Sequence, residues 1–349
     1  MTEEASSPAG TRSRWRLLAL VVIVVAALVG SFVFVQHARN RQEKAAEAPP
    51  VNPVSADLAA VEAVPHIVFR NTTQGQGYGR VAVVPITAPA GPRALTPATC
   101  DRVYATAKES ICLYAKTGIV TSYHATLLGQ DWSPIRELPL SGIPSRTRLS
   151  RDSTLSATTT FVYGHSYASP GQFSTATLIN RTDGSHTDNV EKFTLLVDGK
   201  EITASDRNVW GVTFTPDDDH FFATAASGGK TWLVSGSIAE RKLVALRQDA
   251  ECPSLSPDGT KVAFKTRDGQ PPGNWRVAVY DLKTHTAVKL AETRSVDDQV
   301  EWLDDKQIMY GLPRGGEGAS ATDVWLTNAD GSGKPKMFIA DAWSPAVVR

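Results

Sequence analysis

A turn motif recurs along this chain of 349 residues: Ser256-Pro257-Asp258-Gly259 leads into Thr260-Lys261-Val262-Ala263-Phe264, and degenerate copies stand before and after it. Self-similarity at a fixed period constrains architecture more than any single residue does. With Asp258 as anchor, Thr215-Pro216-Asp217-Asp218 precedes Phe221-Phe222-Ala223, and Ser150-Arg151-Asp152-Ser153 precedes a Thr-rich stretch. Downstream, Asp304-Asp305-Lys306-Gln307 leads into Ile308-Met309-Tyr310, and aligning Ile111-Cys112-Leu113 with Val262-Ala263-Phe264 puts a further anchor at Ala107. The anchors 107, 152, 217, 258 and 304 are spaced by 45, 65, 41 and 46 residues. A pitch near 45 suits one four-stranded blade, and the spacing of 65 marks an insertion.

The chemistry of the motif agrees. Pro presets φ, Asp bonds its own backbone and Gly accepts positive φ, so Ser-Pro-Asp-Gly is a tight turn between antiparallel strands. After it come Lys261 to Phe264, then Trp275 to Leu282, then the alternating Thr286 to Leu290, which read as strands b, c and d behind a strand a ending at Ser256. One such blade buries its faces only against neighbours. The ends of the pattern complement each other. His66-Ile67-Val68-Phe69-Arg70 aligns with strand b, and Ser344-Pro345-Ala346-Val347-Val348-Arg349 aligns with strand a. With a virtual anchor at 63, the expectation is an all-β, six-bladed β-propeller closed by its C-terminal strand, which leaves no open edge.

The Ser-Pro-Asp-Gly-Thr-Lys-Val-Ala-Phe repeat resembles the WD40-like repeat of TolB-like six-bladed propellers, and residues 66–349 as a set look like the membrane-anchored type from actinobacteria. That resemblance implies a binding propeller outside the cytoplasm. The same repeat also serves the propeller domains of peptidases, so it specifies architecture better than function. The sequence departs from the TolB pattern in showing no α/β domain ahead of the propeller.

Residues 17–35 form an apolar run broken only by Gly30 and Ser31. At about 1.5 Å per residue a helix of that length nearly crosses a hydrocarbon core of roughly 30 Å. The expected organisation is a cytoplasmic tail over 1–16, a transmembrane signal anchor over 17–35, a flexible tether over 36–65 rich in Ala, Glu and Pro, and the propeller over 66–349. A cleaved signal peptide is the alternative, although Pro49 after Ala46-Glu47-Ala48 disfavours cleavage there. Arg12, Arg14 and Arg16 before the run balance Arg39, Arg41 and Lys44 after it, so charge bias does not orient the span. The short N-terminal tail and the resemblance both place the propeller on the extracytoplasmic side of the cell membrane.

Zero formal net charge, with 36 basic and 36 acidic residues, argues against a nucleic-acid footprint. Among three cysteines, Cys100 and Cys112 flank the first turn of blade 2. In a regular hairpin Cys112 opposes Val103 rather than Cys100, so a bridge between the two cysteines requires a bulge. Cys252 reads as a free buried thiol.

Motifs for catalysis, phosphate binding and metal ligation are missing: the seven histidines are scattered, and Asp217-Asp218-Asp219 reads as a solvated turn rather than a calcium loop. No cofactor is expected. The b–c and d–a loops of a propeller emerge on one face and the a–b turns on the other. The b–c and d–a face collects His165, Tyr167, Arg207, Trp210, Asp297 and Asp298, and such aromatic and charged residues suit a docking rim. The expectation is a monomeric, non-catalytic propeller that binds an envelope protein or polymer. The alternative is a lyase or hydrolase for an envelope glycan or peptide, using His165, Tyr167 and the Asp297/Asp298 pair, although adjacent residues on a strand face opposite ways.

Overall fold

The computed structural model describes residues 56–140, 142–162, 174–315 and 321–349, together with 20–24, 27, 29–31, 33 and 36. The described residues of the apolar run are helical. Among the described residues, no helix is long and apolar enough to cross a membrane.

From residue 56 onward the strands form six sheets. Blade 1, read from strand a outward, consists of Ala342–Val348, His66–Asn71, Arg80–Pro85 and Ala94–Thr99. The C-terminal strand is therefore the innermost strand of the first blade, antiparallel to its strand b with Val348 opposite His66 and Ala346 opposite Val68. Closure falls where the two unmatched ends of the repeat require it. Blade 2 is Arg102–Ala105, Ser110–Lys116, Ser122–Leu128 and Pro134–Leu138; blade 3 is Ile143–Leu149, Leu155–Val162, Ser174–Arg181 and Thr187–Asn189. Blade 4 is Asn208–Phe214, His220–Ser227, Lys230–Ser237 and Lys242–Gln248. Blade 5 is Glu251–Leu255, Lys261–Thr266, Arg276–Asp281 and Ala287–Lys289, and blade 6 is Glu301–Asp304, Gln307–Pro313, Thr322–Asn328 and Lys336–Ile339.

The long spacing between anchors 152 and 217 is a hairpin, Thr194–Val197 with Lys200–Ile202, laid parallel against the outer strand of blade 4 at Thr194 opposite Lys242. Phe193 at its base is buried, with its ring centroid 6.3 Å from that of Phe221.

Strand b shows why the blades need one another. Ile67 and Phe69 pack with Met309, Val324 and Leu326 of blade 6. Val68, on the opposite face, packs with Val103, Ala105 and Cys112 of blade 2. Alternation with period two thus sends one strand's apolar residues into two seams.

Two expectations change here. The tether does not stay free up to residue 65, because Leu58–Glu62 form a short helix (α1) capped by the Asp57 carboxylate, which accepts from the Ala59 N–H. Its Val61 is buried in the seam of blades 1 and 2, and the indole of Trp132 donates to Glu62 at 2.7 Å. The open question of the disulfide is also answered. Val103 does oppose Cys112, yet Cys100 and Cys112 are bridged with Cα atoms 5.4 Å apart. The bulge lies at Asp101, whose N–H bonds the Leu113 carbonyl while Arg102 also faces Leu113. Two residues oppose one, which brings Cys100 back over Cys112.

Candidate functional site

The innermost strands line a central channel with two unlike ends. On the a–b face the turns repeat one local device. The hydroxyl of Ser256 donates to Asp258, whose carboxylate also accepts from the Thr260 N–H, while Gly259 takes φ 72°. Ser150 and Asp152 repeat it with Ser153 at φ 66°, and Thr215 and Asp217 repeat it with Asp218 at φ 58°. Only the first copy has the glycine that such a φ favours. The aspartates at 217 and 218 serve the turn, as the sequence indicated.

At the b–c and d–a end the channel is closed by charged side chains bonded to one another. Arg102 pairs with Asp298 at 2.7 Å, and its guanidinium lies 4.9 Å from the Trp343 ring centroid. Lys265, with its side chain 3% exposed, donates to Asp297 at 2.6 Å and sits over Trp275. Arg146 approaches Asp297 at 3.6 Å. Burial pushes the Asp297 carboxyl up, but Lys265 and Arg146 outweigh it and leave it below the ordinary range. The Gln299 amide spans the opening, donating to the carbonyls of Val212 and Pro253.

Midway along, Arg148 pairs with Glu301 and donates to Ser254 at 3.0 Å and to the Val300 carbonyl at 2.9 Å. Its guanidinium carbon lies 4.7 Å from the centroid of the Tyr104 ring. Burial drives the Glu301 carboxyl up despite Arg148, and burial with Glu301 nearby raises the Tyr104 phenol to about 12. The phenol is thus neutral at any physiological pH.

This geometry separates the expected rim residues. Asp298 is fully buried, and its second oxygen accepts from the Gly311 N–H at 3.3 Å, so it is a structural group rather than a surface carboxylate. Asp297, its neighbour, has a side chain 62% exposed. The two carboxylates diverge, as adjacent residues in extended chain do. Trp210 is buried in strand a of blade 4, which corrects its expected place on the exposed rim. Arg207 is half-buried and donates to the Phe193 carbonyl at 3.2 Å. His165 and Tyr167 lie outside the described residues.

The sequence reading missed the channel cations Arg102, Arg146 and Arg148. Their signal was available, since Arg102 alternates with Tyr104 and Arg146 with Arg148 on innermost strands. A polar residue at every second position of an innermost strand marks a channel lining.

Six four-stranded blades around a channel, closed by the C-terminal strand, define a six-bladed β-propeller. Its fold is the one found in TolB-like proteins: TolB from Acinetobacter baumannii superposes with a TM-score of 0.56 at 16% identity, over 82% of this chain and 67% of that one. A putative TolB from Agrobacterium tumefaciens gives 0.52 at 13% identity, over 79% and 88%. A chain of a nidogen–laminin complex gives 0.54 at 9% identity, over 81% and 98%. No protein-family model matches the sequence. No curated protein matches it either.

Proposed function

We propose that this chain is a non-catalytic docking propeller, held at the cell membrane by residues 17–35 with the propeller on the extracytoplasmic side, whose b–c and d–a rim binds a protein or an envelope component. The observation that carries this reading is a group of large apolar side chains exposed on that rim of two adjacent blades. Ile119 and Val120, at the b–c loop of blade 2, are 107% and 82% exposed. Ile143 and Phe161 of blade 3 face each other across its first strand pair and are exposed as well. Large apolar side chains gathered on an otherwise polar rim mark interaction sites. Exposed Asp297 and half-buried Arg207 supply charge on the same face. In this proposal His165 and Tyr167, shortly after Phe161 in the chain, belong to it.

The paired state of the channel weighs against catalysis. Glu301, Asp297 and Asp298 each accept from a cation, so none of these is poised as a free base. The membrane part draws on the helical residues 20–24, which expose Leu20, Val21, Val22 and Ile23 as a lipid environment favours. The Cys100–Cys112 bridge fits an oxidising compartment.

An alkaline phosphatase fused within residues 37–55 is expected to be active, with the protein resistant to high-salt extraction from membranes. Partner recovery after crosslinking should fall several-fold for Ile119→Ser with Val120→Ser and for Arg207→Ala, with melting unchanged, and should persist for Lys306→Ala on the other face. An inactive phosphatase overturns the exported placement; equal losses from both faces overturn the rim.

A further inference from the structure

The end of the channel opposite that rim is open. It holds a cavity of about 210 Å³ to which all six blades contribute: Val347 and Arg349, Tyr104 to Ala107, Arg148 and Arg151, Thr213 to Pro216, Ser254 to Pro257 with Gly259, and Glu301 with Trp302. Beyond Tyr104 and Arg148 the space shrinks to about 20 Å³ against Arg102, Arg146, Asp298 and Gln299. The cavity is therefore a blind pocket, smaller than the roughly 300 Å³ at which drug-sized ligand sites begin. Its occupant is one small group rather than an elongated molecule.

The charge of the lining selects the group. Three arginines, Arg148, Arg151 and Arg349, and one acidic residue, Glu301, line it, the Arg349 guanidinium donating to the Leu303 carbonyl. Counting a terminal carboxylate on Arg349 as well leaves the lining net positive. Arg151 is exposed at the entrance and enters no hydrogen bond or ion pair among the described residues. At the floor the Arg148 side chain is only 6% exposed, and its Nε–H has no partner among the described residues. A buried donor left without an acceptor costs stability, so an acceptor that reaches it is favoured. At the far end Lys265 and Arg102 are matched by Asp297 and Asp298, and Arg146, 3.6 Å from Asp297, keeps an Nε–H with no partner among the described residues. Room for a ligand beside an unpartnered guanidinium donor therefore lies at the open mouth, since the space at Arg146 is only about 20 Å³.

We propose that this mouth binds a carboxylate group, with Arg151 capturing it at the entrance and Arg148 receiving it at the floor. Planar guanidinium donors match a carboxylate's two oxygens. Such a group is supplied either by a small dicarboxylate or by an acidic peptide. The site is distinct from the rim on the opposite face and does not depend on it.

The test is isothermal titration calorimetry on the full chain in detergent, with glutarate, with an acetylated Glu-Glu dipeptide and with its Gln-Gln counterpart. Saturable binding of glutarate or Glu-Glu that weakens with added salt is expected, the tighter of the two identifying the source, with no binding of Gln-Gln. Arg151→Ala should weaken binding about tenfold or more, the scale of one charge-assisted hydrogen bond, without moving the melting temperature. Arg267→Ala on the other face should leave binding intact. Absence of binding by both acidic probes, equal binding of Gln-Gln, or unchanged affinity in Arg151→Ala overturns the proposal.

Discussion

At the residue scale, one buried carboxyl gives the fold a signature in its pH dependence. The outer strand of blade 3, Thr187–Asn189, pairs with only Leu178 to Asn180 of strand c, so the N–H of Thr177 has no strand partner on that side. Glu191 supplies the acceptor instead at 2.9 Å and also receives the Thr175 hydroxyl at 3.0 Å. Burial nevertheless dominates and lifts its carboxyl from 4.5 to about 7. A folded-state value above the unfolded one stabilises the protonated native state, so this contribution is complete below about pH 4.5 and is lost as pH rises through about 7. The turn aspartates Asp152, Asp217 and Asp258 act in the opposite sense. Burial raises Asp258, but bonds from Ser256 and Thr260 prevail and leave it lowered, so its contribution is present above the ordinary carboxylate range and lost in acid. Glu191→Gln should therefore flatten the stability profile between about pH 4.5 and 7, measured by urea unfolding at several pH values, while leaving the acid limb in place. An unchanged slope in that window would contradict the assignment. Nothing in the sequence marks Glu191, since its burial follows from where the insertion folds. The Ser-x-Asp turns, whose bonds run within five residues, were legible in it.

At the scale of elements, repeats translated into strands because the blade is a local unit. The anchors fixed blade number, the C-terminal strand of blade 1 and the register of Val103 opposite Cys112. The rest depends on contacts distant in sequence. The blade 4 hairpin pairs Thr194 with Lys242, and helix α1 docks through Trp132, far along the chain. Neither partner shares a periodic pattern with its mate. The channel cations escaped the reading for the same reason, because Arg148 meets Glu301 from the opposite side of the ring, three blades away. The closing strand tests this level. Its removal leaves the N–H and C=O groups of His66–Asn71 facing an empty slot, exposes Ala342 and Ala346, and takes Trp343 off Gly311 and Arg102. Each buried backbone group left unpaired costs about 1–3 kcal/mol, and several are lost together. A chain ending at residue 341 should show no cooperative melt of the native kind. If it melts like the intact chain, the ring is not closed by this strand.

For the molecule as a whole, the two ends of the channel differ in kind. One end is sealed by Arg102–Asp298, Lys265–Asp297 and the Gln299 crossbar, and around it stand the exposed apolar side chains of blades 2 and 3. The other end is a small pocket ringed by the Asp-containing turns. A plugged rim with apolar tips is suited to surface docking, since it offers area without depth. The propeller architecture was legible in the sequence, but the assignment of rim residues to it was only partly so. Loop membership follows from topology, whereas the pairing of Asp298 with Arg102 and the burial of Trp210 are encoded by no local pattern. The docking claim is tested most directly by photo-crosslinking in intact cells, with p-benzoylphenylalanine placed in turn at Ile119 on the rim and at Lys306 on the opposite face. The account predicts a discrete, light-dependent adduct from position 119 and none from position 306. Adducts of equal yield from both positions, or from position 306 alone, would contradict it.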